Sequence, residues 1–292
     1  MAISPSGLLI KPLAWITGAN GLIGNYLVQT APRFAPRWRV WVMTREQLDL
    51  LDFAAVRREF QKDQPQLVIH CAAISTVTEA QNNSALARRV NVEVTRFLAE
   101  LAAEIQFVLF STDVVFDGRK GNYTETDAPN PLHLYGETKA AAEQIVLKNP
   151  KHLVVRTSIN GGISPAGNRG FNEQLRLSLQ TGQGTTLFTD EFRSPIPAVE
   201  TARAVWQLVE ENCAGIYHVA GEEKLSRWQT GQLLVSRWPE IMVKIKSGSA
   251  KDFAGPPRAP DTSLDTSKAR KVLSVPLPGL TGWLAQNPHE PF

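Results

Sequence analysis

Two cysteines in 292 residues, Cys71 and Cys213, are too few for a disulfide framework, and so low a usage fits a reducing compartment. No run approaches the roughly 18 apolar residues of a membrane span. Met1–Pro12 has no basic stretch ahead of a long apolar core, so no secretory signal is expected there. The formal net charge is only +3 and no Lys/Arg block stands out, which leaves nucleic acid without an electrostatic footprint. His133, His152, His218 and His289 do not stand at metal-ligand spacings, so no metal site is expected. Repeats and low-complexity tracts are also missing, and the seven Trp are scattered as packing residues would be. What remains is a cytoplasmic protein with a packed core (43% hydrophobic, 20% charged), acting on a small molecule rather than on nucleic acid or a membrane.

The chain is organised around Ala14–Gly24. Trp15 and Ile16 belong to a short apolar run that reads as a buried strand. It stops at Thr17 and turns through Gly18, Gly21 and Gly24, and an apolar helical pattern follows with Leu22, Ile23, Tyr26, Leu27 and Val28. Strand, glycine turn and helix start together make an anion site, because free backbone N–H groups and the positive end of the helix dipole face the same point. A side chain at Gly18 or Gly21 would crowd a pyrophosphate, and Gly24 lets the helix pack close to the strand. Residues 18 and 20–24 (Gly18, Asn20, Gly21, Leu22, Ile23, Gly24) are therefore assigned to a dinucleotide. The spacing is G-x-x-G-x-x-G, which resembles the extended short-chain dehydrogenase/reductase superfamily.

Strands and helical patterns then alternate. Strands are expected at Arg39–Met43, Gln66–Cys71, Phe107–Phe110 and His152–Arg156, with helices at Phe53–Lys62, Leu86–Ala103 and Leu134–Lys148. Such alternation implies a parallel sheet with right-handed crossovers and helices on both faces. After Arg156 the texture changes: a Gly/Ser/Asn-rich loop at Thr157–Gly170, helices at Phe171–Gln180 and Thr201–Glu211, a strand at Gly215–Ala220, and a proline-bearing ordered loop at Ala250–Asp265. The expected fold is α/β, a Rossmann-type doubly wound sheet. Residues 1–160, with 187–215 returning to it, form the nucleotide domain; 161–186 and 216–292 form a smaller, interleaved substrate lobe.

Ligands of open α/β sheets bind outside the carboxyl ends of the strands. Ser111 and Thr112 end strand four, so Thr112 is placed to offer a hydroxyl to a substrate. Asp113 either accepts from a sugar hydroxyl or caps a turn. Tyr135 and Lys139 lie four apart on one helix face. A tyrosine of ordinary pKa about 10 exchanges protons poorly near neutrality; a close ammonium would lower that value, letting Tyr135 act as general acid or base while Lys139 also holds a ribose.

At these residues the likeness sharpens. Phe110–Gly118 (FSTDVVFDG) is close to the STDYVFDG signature of dTDP-4-dehydrorhamnose reductases, and Asn130–Lys139 (NPLHLYGETK) resembles that family's NPLNVYGRSK. Gln66–Ala73, Val154–Ser158, Gly215–His218 and Arg258–Asp265 match further blocks, so the likeness runs nearly end to end. The resemblance implies a reductase of a nucleotide-linked 4-keto-6-deoxy sugar, with Thr112, Tyr135 and Lys139 as the catalytic set; Asp113, Ile159, Arg193 and Arg258 are assigned to the substrate. Glu191 and Arg193 either frame that substrate or join a surface ion pair. Val114 stands where the family has Tyr, Ile159 where it has Trp, and His70 where it has Asn, so the wall around the substrate is altered.

Strand two ends in Met43-Thr44-Arg45 rather than an acidic residue, and Arg45 can fork onto a ribose 2′-phosphate; NADP(H) is preferred, with NAD(H) the alternative. Asp49 and Leu50 resemble the segment bordering the adenine. Cys71, Ala72 and Ala73 close strand three without bulk, beside the cofactor, and Ser111 closes strand four there. Two other readings stay open: an epimerase or dehydratase that keeps NAD bound, and a non-catalytic regulatory subunit resembling that of methionine adenosyltransferase. A homodimer is left open.

Overall fold

Leu13–Thr17 (β1) is buried at every position because it lies inside a sheet covered on both faces. The computed structural model describes residues 11–182, 184–241 and 245–292; the segment read above for a secretory signal lies, up to residue 10, outside the described residues. α1 (Leu22–Phe34), β2 (Arg39–Met43), α2 (Phe53–Asp63), β3 (Leu67–His70), β4 (Gln106–Thr112) and β5 (Leu153–Thr157) follow in the expected alternation. The six parallel strands stand in the order Gly215–Val219, β5, β4, β3, β1, β2. This is the doubly wound Rossmann-type sheet the sequence implied. Gly215–Val219 is its outer strand, so the sheet takes in residues that a division at 216 would place in the lobe.

Alternation along the strands loads the two faces. Ala14, Ile16, Ile69, Val108 and Phe110 pack against α1 and the helix Ala198–Glu210. Trp15, Val68, Phe107 and Leu109 pack against α2 and the helices Val94–Leu101 and Leu134–Val146. Each Leu, Ile, Val or Phe so buried contributes roughly 1.5–3 kcal/mol. A separate core of Leu175, Leu179, Leu187, Leu225, Leu234, Leu280, Trp283 and Phe292 lies beyond the sheet, with short strand pairs such as Thr186–Phe188 against Lys246–Gly248. Ala250–Asp265 has little regular structure, as expected: a 3-10 turn at Ala250–Asp252 and single bridges from Asp261 to Phe192 and from Leu264 to Tyr123. Among the described residues no helix is long and apolar enough to cross a membrane.

The single helix expected over Leu86–Ala103 is broken. It runs as Ser84–Arg88, a π-turn at Arg89–Glu93, then Val94–Leu101. The wide turn carries the fully buried Asn91, whose amide both donates to and accepts from the backbone of Ile74 (3.0 and 2.9 Å) and donates to Thr138 Oγ1 (3.0 Å). π-turns of this kind are frequent at functional sites.

Candidate active site

β1 has β2 on one side and β3 on the other, and the chain passes to β3 only after β2. That reversal opens a crevice beyond the strand ends. Gly18 has φ +67°, and a Cβ there would stand 2.6 Å from the Ala72 nitrogen. A Cβ on Gly24 would stand 2.5 Å from the Gly18 carbonyl oxygen. Both contacts are backbone, so glycine is needed. No side chain caps α1, whose N-cap is Gly21. The first N–H groups of Leu22, Ile23 and Gly24 therefore stay open to an anion. At the same edge the Thr17 hydroxyl bonds His70 Nδ1 (2.7 Å) and accepts from the Ala72 N–H (3.3 Å), tying β1 to β3. His70 Nε2 is buried without a hydrogen-bond partner among the described residues. Burial, with the charge of Lys139 added, holds His70 neutral down to about 3.

Arg45 is exposed beyond β2, as a residue meeting a 2′-phosphate must be. The next residue, Glu46, supplies an acid that the reading of strand two stopped short of: Asn20 Nδ2 donates to its carboxylate (3.4 Å). Asp49 Oδ1 accepts from Leu51 N–H (3.0 Å), and Leu50 packs on the core beside Phe53.

Thr112 closes β4, and the helix Leu134–Val146 brings Tyr135 close to it. His133 caps that helix: its Nδ1 accepts from the Gly136 N–H (3.2 Å). Thr138 Oγ1 donates to the Tyr135 carbonyl (2.8 Å) and accepts from Asn91, so the broken helix steadies the turn between Tyr135 and Lys139. Lys139 is 3% exposed and makes no hydrogen bond among the described residues. The expected lowering of the Tyr135 pKa is not what this geometry gives. Burial pushes the phenol up, opposed by the nearby Thr112 hydroxyl and reinforced by the Asp113 charge. Burial also pulls Lys139 down to about 8 against the pull of Glu143 and Cys71. Desolvation is the largest effect on the phenol, so Tyr135 keeps its proton at neutral pH, the state a general acid requires.

On the other side of Thr112 stand charged side chains. Asp113 Oδ1 accepts from Thr112 Oγ1 (3.1 Å); Oδ2 accepts from Ser158 (2.7 Å) and Thr262 (3.0 Å) and lies 3.6 Å from Arg193 Nε. Of the two readings of Asp113, the structure places its carboxylate on neighbouring side chains. Arg193 Nη2 reaches Glu191 (3.0 Å), and Glu191 also pairs with Arg227 (3.1 Å) and faces Arg258 (3.8 Å). Glu191 is fully buried and its Oε2 accepts no hydrogen bond. Arg193 and Glu191 thus join one ion-pair cluster, and it is buried rather than on the surface. Arg258, a third exposed, lies over the Phe253 ring (4.7 Å).

The structure therefore gathers the glycine turn, Ala72, Thr112, Tyr135 and Lys139 around one crevice, and Asp113, Arg193 and Arg258 around one cluster. One assignment reads differently in it. The Ser111 hydroxyl is given to Glu143 rather than left for a cofactor. Ile159 is fixed by its carbonyl, which accepts from Ile196 N–H (2.8 Å), with the side chain only partly buried. Sequence reasoning missed Asn91, Glu143, Arg156 and Arg227. A polar residue between valines marked Asn91, and the i, i+4, i+8 spacing Tyr135, Lys139, Glu143 marked the third member of that face; nothing local marked Arg227. Among the described residues no group of three His, Cys, Asp or Glu could hold a metal ion.

Residues 14–286 match the RmlD substrate binding domain family. The chain is 30% identical over 287 residues to a probable low-salt glycan biosynthesis reductase of Haloferax volcanii, covering 93% of this chain and 96% of that one. It is 32% identical over 276 residues to the dTDP-4-dehydrorhamnose reductase of Aggregatibacter actinomycetemcomitans (89% and 92% covered). It is 29% identical over 278 residues to the methionine adenosyltransferase 2 subunit beta of Xenopus laevis (89% and 82%). Among solved structures, dTDP-4-dehydrorhamnose reductase from Bacillus anthracis in complex with NADP superposes with TM-score 0.86 over 95% of this chain and 98% of that one at 24% identity, a likeness of fold.

Proposed function

The chain belongs to the RmlD substrate binding domain family, the dTDP-4-dehydrorhamnose reductase-like extended short-chain dehydrogenase/reductases, and on that premise we propose that it is an NADPH-dependent reductase of a nucleotide-linked 4-keto-6-deoxy sugar. Residues 1–160, with 187–219 returning to the same sheet, bind the cofactor, and 161–186 with 220–292 cover the substrate. The open N–H groups at Leu22, Ile23 and Gly24 take the pyrophosphate, Arg45 the 2′-phosphate, and Lys139 the nicotinamide ribose. When bound, the cofactor supplies a hydride. Tyr135 gives its proton to the carbonyl oxygen, and Thr112 holds that oxygen in line. Once Tyr135 is a phenolate, the Lys139 ammonium stabilises it. Arg193, Arg258, Asp113 and Ile159 border the sugar nucleotide. The work is cytoplasmic and needs neither membrane nor nucleic acid.

The single observation that carries this reading is Tyr135 set beside Thr112 at the end of β4, with a buried Lys139, unbonded among the described residues, one turn on. A panel of nucleotide 4-keto sugars with NADPH and NADH, followed at the nicotinamide absorbance, tests it. Turnover of at least one is expected, with dTDP-4-dehydrorhamnose poorly used because Val114 and Ile159 leave its wall without aromatics. The dehydratase reading, which needs Asp113 free, weakens because the Asp113 oxygens already hold Thr112, Ser158, Thr262 and Arg193. The regulatory reading rests on the likeness to the methionine adenosyltransferase subunit. Nucleotide binding without turnover, together with stable capture of a synthetase, would favour it.

A further inference from the structure

One cation in the cluster around Glu191 has no carboxylate of its own. Asp113 and Glu191 stand against Arg193, Arg227 and Arg258, which leaves one positive charge in surplus. The three arginines are not equally engaged. Arg193 uses its donors inside the fold: Nη1 on the carbonyls of Phe192 (2.7 Å) and Ala259 (3.0 Å), Nη2 on Glu191 (3.0 Å), with Nε 3.6 Å from Asp113. Arg227 gives only Nε, to Glu191 Oε1 (3.1 Å). Arg258 stands 3.8 Å from Glu191 Oε2, which is buried and accepts no hydrogen bond. Among the described residues nothing engages the Nη atoms of Arg227, and Arg258 donates no hydrogen bond.

Both are braced rather than loose. Arg227 follows a strand pair, Leu225–Ser226 against Phe192–Arg193, and its N–H donates to the Glu191 carbonyl (2.9 Å). Its guanidinium lies 4.7 Å from the Phe171 ring centre; that of Arg258 lies 4.7 Å from Phe253 and 5.6 Å from Phe188. Rings against the guanidinium faces leave the N–H edges for a ligand. Burial pushes the Glu191 carboxyl up, but Arg227, Arg193 and Arg258 outweigh it and hold the group below its ordinary value, so an anion sits between the two cations. Stability alone does not call for the third arginine, since a cation without a counter-charge in a poor solvent costs free energy.

We propose that Arg227 and Arg258 form a clamp for the diphosphate of the sugar nucleotide, one on either side of Glu191, which makes Arg227 a substrate-binding residue. The inference rests on the nucleotide-sugar reading and names the groups that grip the carrier. The spacing supports it. Thr112, assigned to the ketone oxygen, donates to Asp113 (3.1 Å), and a single guanidinium, that of Arg193, separates Asp113 from Glu191. In a 4-keto sugar the ketone and the anomeric carbon that bears the diphosphate stand at opposite corners of the ring. A ring laid along Arg193 therefore brings its diphosphate to Arg227 and Arg258. The guanidinium fork suits phosphate oxygens through paired N–H donors.

Calorimetric titration of the full chain with thymidine, uridine and guanosine diphosphates, each against its monophosphate, tests this without turnover. NADP⁺ is kept saturating so that the glycine turn is filled. Wild type should bind at least one diphosphate about tenfold tighter than the matching monophosphate, and Arg227→Met should lose about ten- to a hundredfold in diphosphate affinity, the worth of a charged hydrogen bond. Its affinities for the monophosphate and for NADP⁺ should barely change. Arg258→Met should behave alike. Arg227→Lys keeps the charge and the pair with Glu191 but lacks the spare donors; it should unfold at the wild-type temperature and still lose about tenfold. A cluster that is only structural would lower the unfolding temperature of the Met variants and leave diphosphate affinity in place. Diphosphate affinity unchanged from wild type in Arg227→Lys, or in Arg227→Met where it folds, overturns the clamp and leaves the reductase reading standing. A wild type that binds none of the diphosphates overturns the clamp and the nucleotide-sugar reading together.

Discussion

Between Gly18 and Gly24 the site is backbone. Three glycines, a carbonyl 2.5 Å from where a Cβ would stand, and uncapped N–H groups do the shaping, and no charged side chain takes part. Between Asp113 and Arg258 the site is side chains: two carboxylates against three arginines, with Asp113, Glu191 and Arg193 buried and drawn from strands and loops far apart in the chain. A backbone site is fixed by local spacing and tolerates no added atom. A side-chain site is fixed by partners, and removing one leaves the others charged in a poor solvent. Tyr135 sits on the seam, beside Thr112, which itself donates to Asp113.

The largest expected effect is therefore on the seam. Tyr135→Phe keeps the ring and its packing, so NADPH affinity should stay close to wild type while turnover falls by about 10²–10⁴, the usual worth of a positioned proton donor. The double change with Lys139→Met should cost far less than the product of the singles, since groups acting as a unit are non-additive. Wild-type turnover in Tyr135→Phe, on any ketone the native protein reduces, would take the tyrosine out of the mechanism.

On the side-chain half, Arg193→Met should remove about 3–5 kcal/mol of stability, because it strands Asp113 and Glu191 without their shared cation. Urea unfolding reads this directly. A loss below about 1 kcal/mol would mean that Arg227 and Arg258 close over the gap, and that the cluster is a loose field rather than a set of fixed pairs.

The same contrast explains what the sequence revealed. The glycine spacing, the strand before it and the Tyr135/Lys139 pair are local, and the sheet order follows from the alternation of strands and helices. Thr112 could be placed because strand ends face ligands. The cluster around Glu191 could not, because its arginines come from three separate segments and only the folded chain makes them neighbours. The π-turn at Asn91 was hidden by an apolar pattern that fits an ordinary helix equally well. The direction of the Tyr135 shift was missed because desolvation depends on burial, which a helix-face argument does not supply.

On the backbone half, Arg45 is the charged side chain assigned to the cofactor's 2′-phosphate. Arg45→Ala should lower NADPH affinity about ten- to a hundredfold, the equivalent of about 1.5–3 kcal/mol for a charged hydrogen bond, and leave NADH nearly unchanged. Glu46, held by Asn20, would then set the residual preference. Calorimetry giving equal or better NADH affinity in the native protein would remove the 2′-phosphate from the Arg45 assignment.

The smallest effect tests whether the seam owes its geometry to a single cap. His133 Nδ1 accepts from the Gly136 N–H at the start of the Tyr135 helix. His133→Ala should cost about 1 kcal/mol, the usual worth of an N-cap. His133→Asn should cost much less, because its Oδ1 can take the same N–H. Burial holds the His133 pKa below the ordinary value, with Arg193 and Arg258 adding to the effect. The unfolded chain therefore takes up the proton first as pH falls. The contribution of the cap is complete above about pH 6.5 and is lost as pH drops through the lower, folded-state value, where a protonated Nδ1 can no longer accept. The Asn variant should lack this acid-side loss. If the stability difference between wild type and His133→Asn is the same at pH 7.5 and at pH 5, the cap does not depend on the neutral imidazole, and Asn91 through Thr138 is left to hold Tyr135 in place.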